Sequence, residues 1–282
     1  MNRTGPHHKA LSLARKWFFP LAFLALAGLV GRPGTAAGAG AGVNELARLA
    51  DGGSGLVREI VDGDTLILED GRQVRLVGIQ APKLPLDRPG FKAWPLADEA
   101  RAALVRLAAG ARVALRYGGR RQDRHGRELA HLVRADGLWL QGRLLKEGLA
   151  RVYSFRDNRA MLTAMLAAER GARAARQGIW AHPYYAVRTD TQTPQFIGSF
   201  QLVEGRVLES AQVNGRIYLN FGADWRQDFT IQIEPRDVKL FRRAGRDPLA
   251  LKGQRVRVRG WLARRNGVLV RATHPEQIEE LP

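Results

Sequence analysis

Alternating apolar and polar residues predict three short strands in succession, at residues 56–61, 65–69 and 73–79. Asp-Gly dipeptides separate these strands, and this dipeptide is typical of tight turns between antiparallel strands. The pattern therefore predicts a meander, which brings Asp62 and Asp64 of the first turn near Arg75 of the third strand. Two carboxylates and a guanidinium suit a metal or phosphate site. The alternative is that DGD and EDG form only hairpin turns.

The following residues change between helical and strand periodicity. Apolar residues recur at helical spacing in three segments, each closed by a glycine, and two alternating segments lie between the first and second of them. The predicted elements are a helix at 95–109, strands at 112–117 and 128–134, and helices at 138–147 and 157–177. The first 180 residues thus contain three strands, a helix, two strands and two helices, in that order.

Residues 184–196 contain Pro194 and a run of Thr and Gln, a composition typical of a linker, and beyond them the pattern becomes mainly β. Five strands are predicted at 201–208, 216–221, 229–234, 255–262 and 268–272. A short helix at 235–242 lies between the third and the fourth. Because this is the element order of an OB-fold, we expect a second, OB-like barrel at 197–282, with an SH3-like or other small barrel as the alternative.

The first 41 residues have the composition of a signal peptide. Four basic residues precede an apolar run of 14 residues at 17–30, and small residues follow up to Ala41. A membrane-spanning helix needs about 20 apolar residues. We therefore expect a cleaved signal at 1–41, a short lead-in at 42–54 and an exported protein, periplasmic or secreted, without a stable membrane span. A retained anchor is the alternative.

The charge points to polyanionic partners. The 282 residues carry a formal charge of +18 with a pI near 11.2, and 38 of the 45 basic residues are arginine. Removing residues 1–41 takes away five bases and no acids, so 18 − 5 leaves +13. Such a surface suits DNA, RNA or another polyanion. The absence of cysteine excludes thiol catalysis, disulfides and thiolate metal sites.

Three motifs together resemble the staphylococcal nuclease (thermonuclease) family. They are DGDT at 62–65, GIQAP at 78–82 and DRHGRELA at 123–130, with Arg75 between the first two. The resemblance extends from about residue 55 to 180. It implies an α+β, mainly β fold for residues 55–183, namely a five-stranded OB barrel with three helices. It also implies a calcium-dependent site that cleaves phosphodiesters.

The resemblance assigns roles residue by residue. Asp64 matches a calcium-ligand aspartate, and Asp62 matches the aspartate just before it. Arg75 and Arg127 match the two arginines that bind phosphate. This sequence departs from the family at Gln80, where a second calcium-ligand aspartate is expected, and at Lys83, where a glutamate acts as the general base.

These departures change the charge of the site. The six family positions, including Arg127, carry four acids and two arginines, or −2, whereas this chain has two acids and three bases, or +1. Calcium prefers several anionic or carbonyl oxygens. We therefore expect the calcium site at Asp62 and Asp64 to be weakened, and Lys83 not to act as a base. A phosphate would still be served by Arg75, Arg127 and Lys83.

Three functions follow from these observations. The favoured one is an exported protein that binds nucleic acid or another phosphate polyanion through a nuclease-like domain. The second is a phosphodiester hydrolase whose metal is held by Asp62, Asp64 and either Asp87 or Glu128. The third is a non-catalytic envelope scaffold. Other side chains of interest are two histidines near Arg127 and four aromatic residues able to stack on bases: His125, His131, Tyr218, Phe221, Trp225 and Trp261.

Overall fold

The first half of the chain folds into a closed five-stranded barrel. A computed structural model describes residues 45–282, so the predicted signal at 1–41 lies outside the described residues. The strands of this half are β1 Ala50–Asp62, β2 Thr65–Leu68, β3 Gln73–Leu76, β4 Ile79–Gln80, β5 Arg112–Tyr117, β6 Glu128–Arg134 and β7 Arg151–Val152. The barrel closes in the order β1-β2-β3-β6-β5. Strands β3 and β6 run parallel, and the other barrel pairs are antiparallel.

Three helices cover this barrel and complete its core. They are α1 Ala97–Ala108, α2 Leu140–Lys146 and α3 Leu162–Ala174. Their apolar faces share one buried cluster with the barrel interior, in which Leu66 and Leu132 of the strands meet Leu104 and Leu144 of the helices. The alternation and helical spacing of the sequence place these side chains on the inner faces. The predicted barrel with three helices is confirmed.

Two strand boundaries differ from the sequence prediction. Strand β1 begins at Ala50 instead of residue 56, because its Gly-rich first half pairs with β5 through backbone groups. A Cβ atom at Gly52 would lie 2.3 Å from the Tyr117 ring, so the glycine makes room for that neighbour. The predicted third strand is interrupted at Gly78, which has a φ of 81°. The chain resumes as β4, which pairs with β7.

The segment predicted as a linker is folded against both halves of the chain. The buried Tyr185 donates a hydrogen bond to the carbonyl oxygen of Pro95, at 2.7 Å. A few residues later, β8 Arg188–Thr189 pairs with the first strand of the second half. Residues 45–282 fall into one compact unit. No helix among them is long and apolar enough to span a membrane.

The second half forms a curved sheet with OB-like strand order. Its strands are β9 Phe200–Arg206, β10 Glu209–Val213, β11 Arg216–Asn220, β12 Phe229–Ile233, β13 Arg255–Arg264, β14 Val268–Arg271 and β15 Ile278–Leu281. The order is β10-β11-β12-β14-β13-β9, with β12 and β14 parallel. Helix α4 Pro235–Arg243 follows β12. Counted together as one first strand, β9 and β10 give the strand order of the first barrel, but this sheet is not closed: it continues from β9 to β8, and β15 pairs with β13. The sequence prediction missed β10, whose side chains are largely exposed and polar, and β15.

A buried ionic network joins the two halves. Arg259 on β13 is 1% exposed and donates to both carboxylate oxygens of Glu169 on α3, each at 3.0 Å. The same guanidinium donates to Glu279 on β15, at 2.5 Å. Glu169 also accepts the backbone N–H of Val152, at 2.6 Å. The positive charge and the hydrogen bonds outweigh the effect of burial, and they hold the pKa of Glu169 below its usual range.

The junction also contains a buried histidine, which should make stability depend on pH. His274 is fully buried, its Nε2 lies 2.8 Å from the hydroxyl of Ser154, and burial lowers its pKa to about 4. The unfolded chain binds a proton near pH 6.5, so it holds more protons than the folded chain between these values. We expect the folded state to lose up to about 3 kcal/mol as pH falls from 6.5 toward 4.

Urea unfolding at a series of pH values measures this effect. A His274→Asn variant should show a flatter dependence of the unfolding free energy on pH between 6.5 and 4. The matched control is His125→Asn, because His125 is exposed. Equal slopes for wild type and His274→Asn would contradict the assignment.

Candidate functional site

The turn between β1 and β2 places two carboxylates side by side. The backbone N–H of Asp64 donates to Oδ1 of Asp62, at 3.0 Å, which fixes the turn. A Cβ atom at Gly63 would lie 2.7 Å from the Cβ of Ala81 and 2.8 Å from that of Ala100. Only glycine therefore lets this turn pack against the segment after β4 and against α1. The close packing leaves both aspartates almost completely buried.

Asp64 is the centre of the cluster. Its carboxylate accepts hydrogen bonds from the guanidinium of Arg75 and, at 2.8 Å, from the backbone N–H of Ala81. Lys83 Nζ lies 2.6 and 2.7 Å from its two oxygens. Burial alone would favour the neutral acid, but the charges of Arg75 and Lys83 outweigh burial and hold the pKa of Asp64 far below its usual range. Asp64 is therefore a stable anion in the folded protein.

The ammonium group of Lys83 lies where the two carboxylates converge. In addition to Asp64, it contacts Oδ2 of Asp62 at 3.1 Å. Three carboxylate oxygens thus accept from one ammonium, which has three N–H donors. Burial and the neighbouring charge of Asp64 raise the pKa of Asp62, against the opposing effect of Lys83. Together with Arg75, the cluster has two negative and two positive groups.

Gln80 is engaged elsewhere. Its side-chain oxygen accepts from Nε and Nη2 of Arg151, at 3.0 and 2.7 Å. Both side chains are buried, on the paired strands β4 and β7, and burial lowers the pKa of Arg151 to about 10. The guanidinium of Arg151 also stands 4.7 Å from the ring centre of Phe200. Gln80 therefore supports the junction of the two halves.

A cleft of about 690 Å³ opens beside the cluster. Asp62, Arg75, Lys83 and Arg127 all line it, so the structure brings these predicted residues to one place, whereas Asp64 lies buried behind them. The lining contains six basic side chains and three carboxylates, giving 6 − 3, or +3: Arg75, Lys83, Arg88, Arg120, Arg124 and Arg127 against Asp62, Asp123 and Asp157. The cleft is therefore suited to anions.

Arg127 is positioned by the loop that precedes β6. Its backbone N–H and its Nε donate to the two oxygens of Asp123, at 3.1 and 2.8 Å. Gly126 has a φ of 78°, which allows the turn between them. Burial alone would raise the pKa of Asp123, but the hydrogen bonds from Arg127 and His125 outweigh burial and lower this pKa. The side chain of Arg127 stays 26% exposed and faces the cleft.

Other residues of the predicted site lie apart from this cluster. His131 is buried against Trp139, and burial lowers its pKa to about 3, so it is a neutral packing residue. Glu128 accepts from the hydroxyl of Tyr117, at 2.6 Å. Asp87 is exposed on the loop after β4, and His125 is exposed at the cleft. Across residues 45–282, no group of three or more His, Asp or Glu side chains is arranged to hold a metal.

The sequence analysis missed two aromatic residues of the cleft. Tyr153 and Phe155 follow β7 and both line it, with ring centres 4.9 Å apart and an edge-to-face orientation. Phe155 is 49% exposed, which is unusual for phenylalanine in a folded protein. The alternation RVYSF at 151–155 was available as a signal, but it falls between predicted helices and resembles an ordinary short strand.

The first half of the chain matches known proteins. A sequence model described as "Staphylococcal nuclease homologue" matches residues 73–182. The thermonuclease of Staphylococcus hyicus is 30% identical over 129 residues, which are 45% of this chain and 75% of that protein. The thermonuclease of Staphylococcus intermedius is 31% identical over 132 residues, or 46% and 77%. Endonuclease YncB of Bacillus subtilis is 31% identical over 130 residues, or 44% and 60%.

Proposed function

The chain belongs to the staphylococcal nuclease family, and we propose that its cleft binds nucleic acid or another phosphate polyanion without calcium. We further propose that the protein does not hydrolyse the bound polymer efficiently. One observation carries this proposal. The ammonium of Lys83 lies 2.6–3.1 Å from three carboxylate oxygens of Asp62 and Asp64. The cation of this site is therefore a side chain.

The residues present do not fit a calcium ion. Calcium takes about six to eight oxygen ligands, and this cluster offers two carboxylates, each of whose oxygens already accepts a hydrogen bond from the protein. The side-chain oxygen of Gln80 accepts from Arg151. A metal would have to displace Lys83 and would leave Asp64 in contact with Arg75. We therefore assign no step of a reaction to calcium.

Lys83 is also unsuited to the role of general base. Its three N–H groups donate to three carboxylate oxygens. An ammonium that makes these contacts has no lone pair with which to take a proton from water. The same arrangement leaves the phosphate-binding arginines in place at the cleft. Binding without efficient hydrolysis is the function that this chemistry supports.

Phosphate would be held by the guanidinium groups that line the cleft. Arg120 and Arg124 are exposed, and Arg127 is partly exposed, so all three can reach a phosphate in solvent. One guanidinium group can donate two parallel hydrogen bonds to two oxygens of a phosphate, which makes arginine better suited to this contact than lysine. Tyr153 and Phe155 add apolar surface beside these charges.

Binding should be strongly salt-dependent and indifferent to calcium. We expect fluorescence anisotropy with labelled single-stranded DNA and RNA to show log K falling linearly with log salt concentration, because phosphate contacts release counterions. Arg127→Ala should weaken binding by about 1–3 kcal/mol, the value of a charge-assisted hydrogen bond. Chelating calcium with EGTA should leave the affinity unchanged.

Arg112→Ala is the matched control, because Arg112 is an exposed arginine on β5 that does not line the cleft. It should bind as wild type does. If the unmodified protein released nucleotides efficiently from the DNA or the RNA in a calcium-dependent reaction, the protein would be a hydrolase and this proposal would be wrong. Binding that salt does not weaken, or no binding, would favour the scaffold.

Export belongs to the same proposal. The predicted signal at 1–41 and the charge of +13 that remains after it suit a protein that meets polyanions outside the cytoplasm. Mass spectrometry of the protein recovered from cell fractions should give a mature N-terminus near residue 42. Recovery of the uncleaved chain from the membrane would favour the anchor.

A further inference from the structure

The sheet of the second half has a groove of its own, lined by none of the residues that line the cleft. It has a volume of about 400 Å³, within the range of small-molecule sites, roughly 300–1,000 Å³. Alternation along β11 and β12 places Ile217, Leu219, Ile231 and Ile233 in the core. The alternate residues of these two strands lie on the opposite face of the sheet, and four of them line the groove: Tyr218, Asn220, Thr230 and Gln232.

One wall of the groove is an exposed tryptophan on an ordered loop. Trp225 is 47% exposed and lies between β11 and β12. The backbone N–H of Asp224 donates to Asp228, at 2.8 Å, and the side chain of Asp224 in turn accepts the backbone N–H of Arg226, at 3.0 Å. These bonds fix the loop on both sides of Trp225. The large aromatic face is thus held in place while it remains open to solvent.

The floor of the groove contains a buried acceptor without a partner. Gln232 is 1% exposed, and its Oε1 has no hydrogen-bond partner among the described residues. Its Nε2 donates to the carboxylate of Glu234. An ionised carboxylate can only accept hydrogen bonds, so the group that faces Glu234 must be the NH2 group of the Gln232 amide. This fixes the orientation of the amide and leaves Oε1 without a partner. A buried acceptor without a donor points to a ligand that supplies one.

The rim of the groove is positively charged. Arg265 lines it on the turn between β13 and β14, with Arg264 beside it in the sequence, and both are exposed. The guanidinium of Arg226 stands 4.6 Å from the ring centre of Trp225. None of these three arginines makes an ion pair with another residue in 45–282. An anionic backbone could therefore run along this rim.

We propose that this groove holds an unpaired base of single-stranded nucleic acid. The base stacks on Trp225, an amino or ring N–H group of the base donates to Oε1 of Gln232, and the flanking phosphates contact Arg226, Arg264 and Arg265. Aromatic stacking is sequence-tolerant and typical of single-strand binding, and this face of OB-folds can bind oligonucleotides. The inference rests on the proposed function, and it makes single strands the preferred substrate class.

The test compares strands with and without bases. The full-length protein is titrated with a labelled single strand of cytidines, with an abasic strand of the same length, and with a duplex, at one salt concentration. Because one stacked base contributes roughly a tenfold change in affinity, the cytidine strand should bind about tenfold more tightly than the abasic strand. Trp225→Ala should lose this preference and bind both strands equally. Gln232→Met, which preserves size, should lose part of it.

Two controls separate the groove from the cleft. Tyr184→Ala removes an aromatic residue of similar exposure, 42%, that lines neither site, and it should keep the preference. Arg127→Ala should weaken the binding of the cytidine strand and of the abasic strand by the same factor. If the wild-type protein binds all three nucleic acids equally, the groove holds no base, while the cleft proposal stands. If the wild-type protein binds none of the three nucleic acids, the groove proposal and the cleft proposal are both wrong. If Trp225→Ala does not fold, Gln232→Met decides: a preference for the cytidine strand equal to that of the wild type overturns the groove proposal.

Discussion

Arg259→Met should lower the free energy of unfolding by about 3–5 kcal/mol, because it leaves buried carboxylates without their main cation. Glu169 is fully buried, and Glu279 is 10% exposed in its side chain. Arg173 Nη1, 2.9 Å from Glu169, would compensate only in part. Methionine approximates the length of the arginine stem, so the loss measures mainly the charge and its hydrogen bonds. Equilibrium urea unfolding, with Cm and m fitted separately, gives the value.

The matched control is Arg106→Met. Arg106 pairs with Glu147 at 2.8 Å on the surface, with 60% of its own side chain exposed. Breaking such a pair typically costs less than about 1 kcal/mol. The double variant Arg259→Met with Glu169→Leu should recover part of the loss, because it removes the fully buried carboxylate together with its cation and leaves only Glu279. If Arg259→Met costs no more than Arg106→Met, the ionic network does not hold the two halves of the chain together.

Local sequence patterns account for most of the first barrel. Alternation and Asp-Gly turns predicted β2, β5 and β6 closely, because each of these strands has one face in the core. The first half of β1, ADGGSG, could not be recognised, since it is stabilised by backbone pairing with a strand some 60 residues away. For the same reason β15, which pairs at the edge of β13, has no local signal.

The grouping of the residues around the first turn was predictable, but their contacts were not. The turn at 62–64, Arg75 and Lys83 were predicted to lie together, and they do. That Lys83 donates to both aspartates depends on the path of the chain after β4, which turns back over the first turn. The bond from Arg151 to Gln80 joins residues 71 apart. Pairings at this separation follow from the assembled fold, so no local pattern reveals them.

The largest functional change is expected from the double variant Gln80→Asp with Lys83→Glu. It removes the ammonium from the aspartate pair and adds two carboxylates, which moves the charge of the six family positions from +1 to −2. Such a site suits a hard divalent cation. We expect the unmodified protein to bind calcium no more tightly than about 1 mM, the weak end of calcium modules, and the double variant to bind it much more tightly. Isothermal titration calorimetry measures both.

The two single variants should behave differently from each other. Gln80→Asp leaves Lys83 in place, and the buried Arg151, which now donates to Gln80, would pair with the new carboxylate. We expect this variant to gain no calcium affinity. Lys83→Glu removes the ammonium from three carboxylate oxygens of Asp62 and Asp64, so we expect this variant to gain some calcium affinity. Lys83→Met is the control, because it removes the ammonium without adding a ligand.

Nucleic-acid binding provides the second measurement for the same variants. Without calcium, the double variant should bind labelled single strands more weakly than wild type, because the cleft lining has exchanged the cation of Lys83 for an anion and a second anion has been added behind it. Calcium should restore the affinity, since a bound divalent ion would return positive charge to the cleft. Binding would then depend on calcium, whereas the wild-type protein keeps its affinity in EGTA. If the double variant folds and binds as wild type does in both conditions, the ammonium of Lys83 does not serve as the cation of this site.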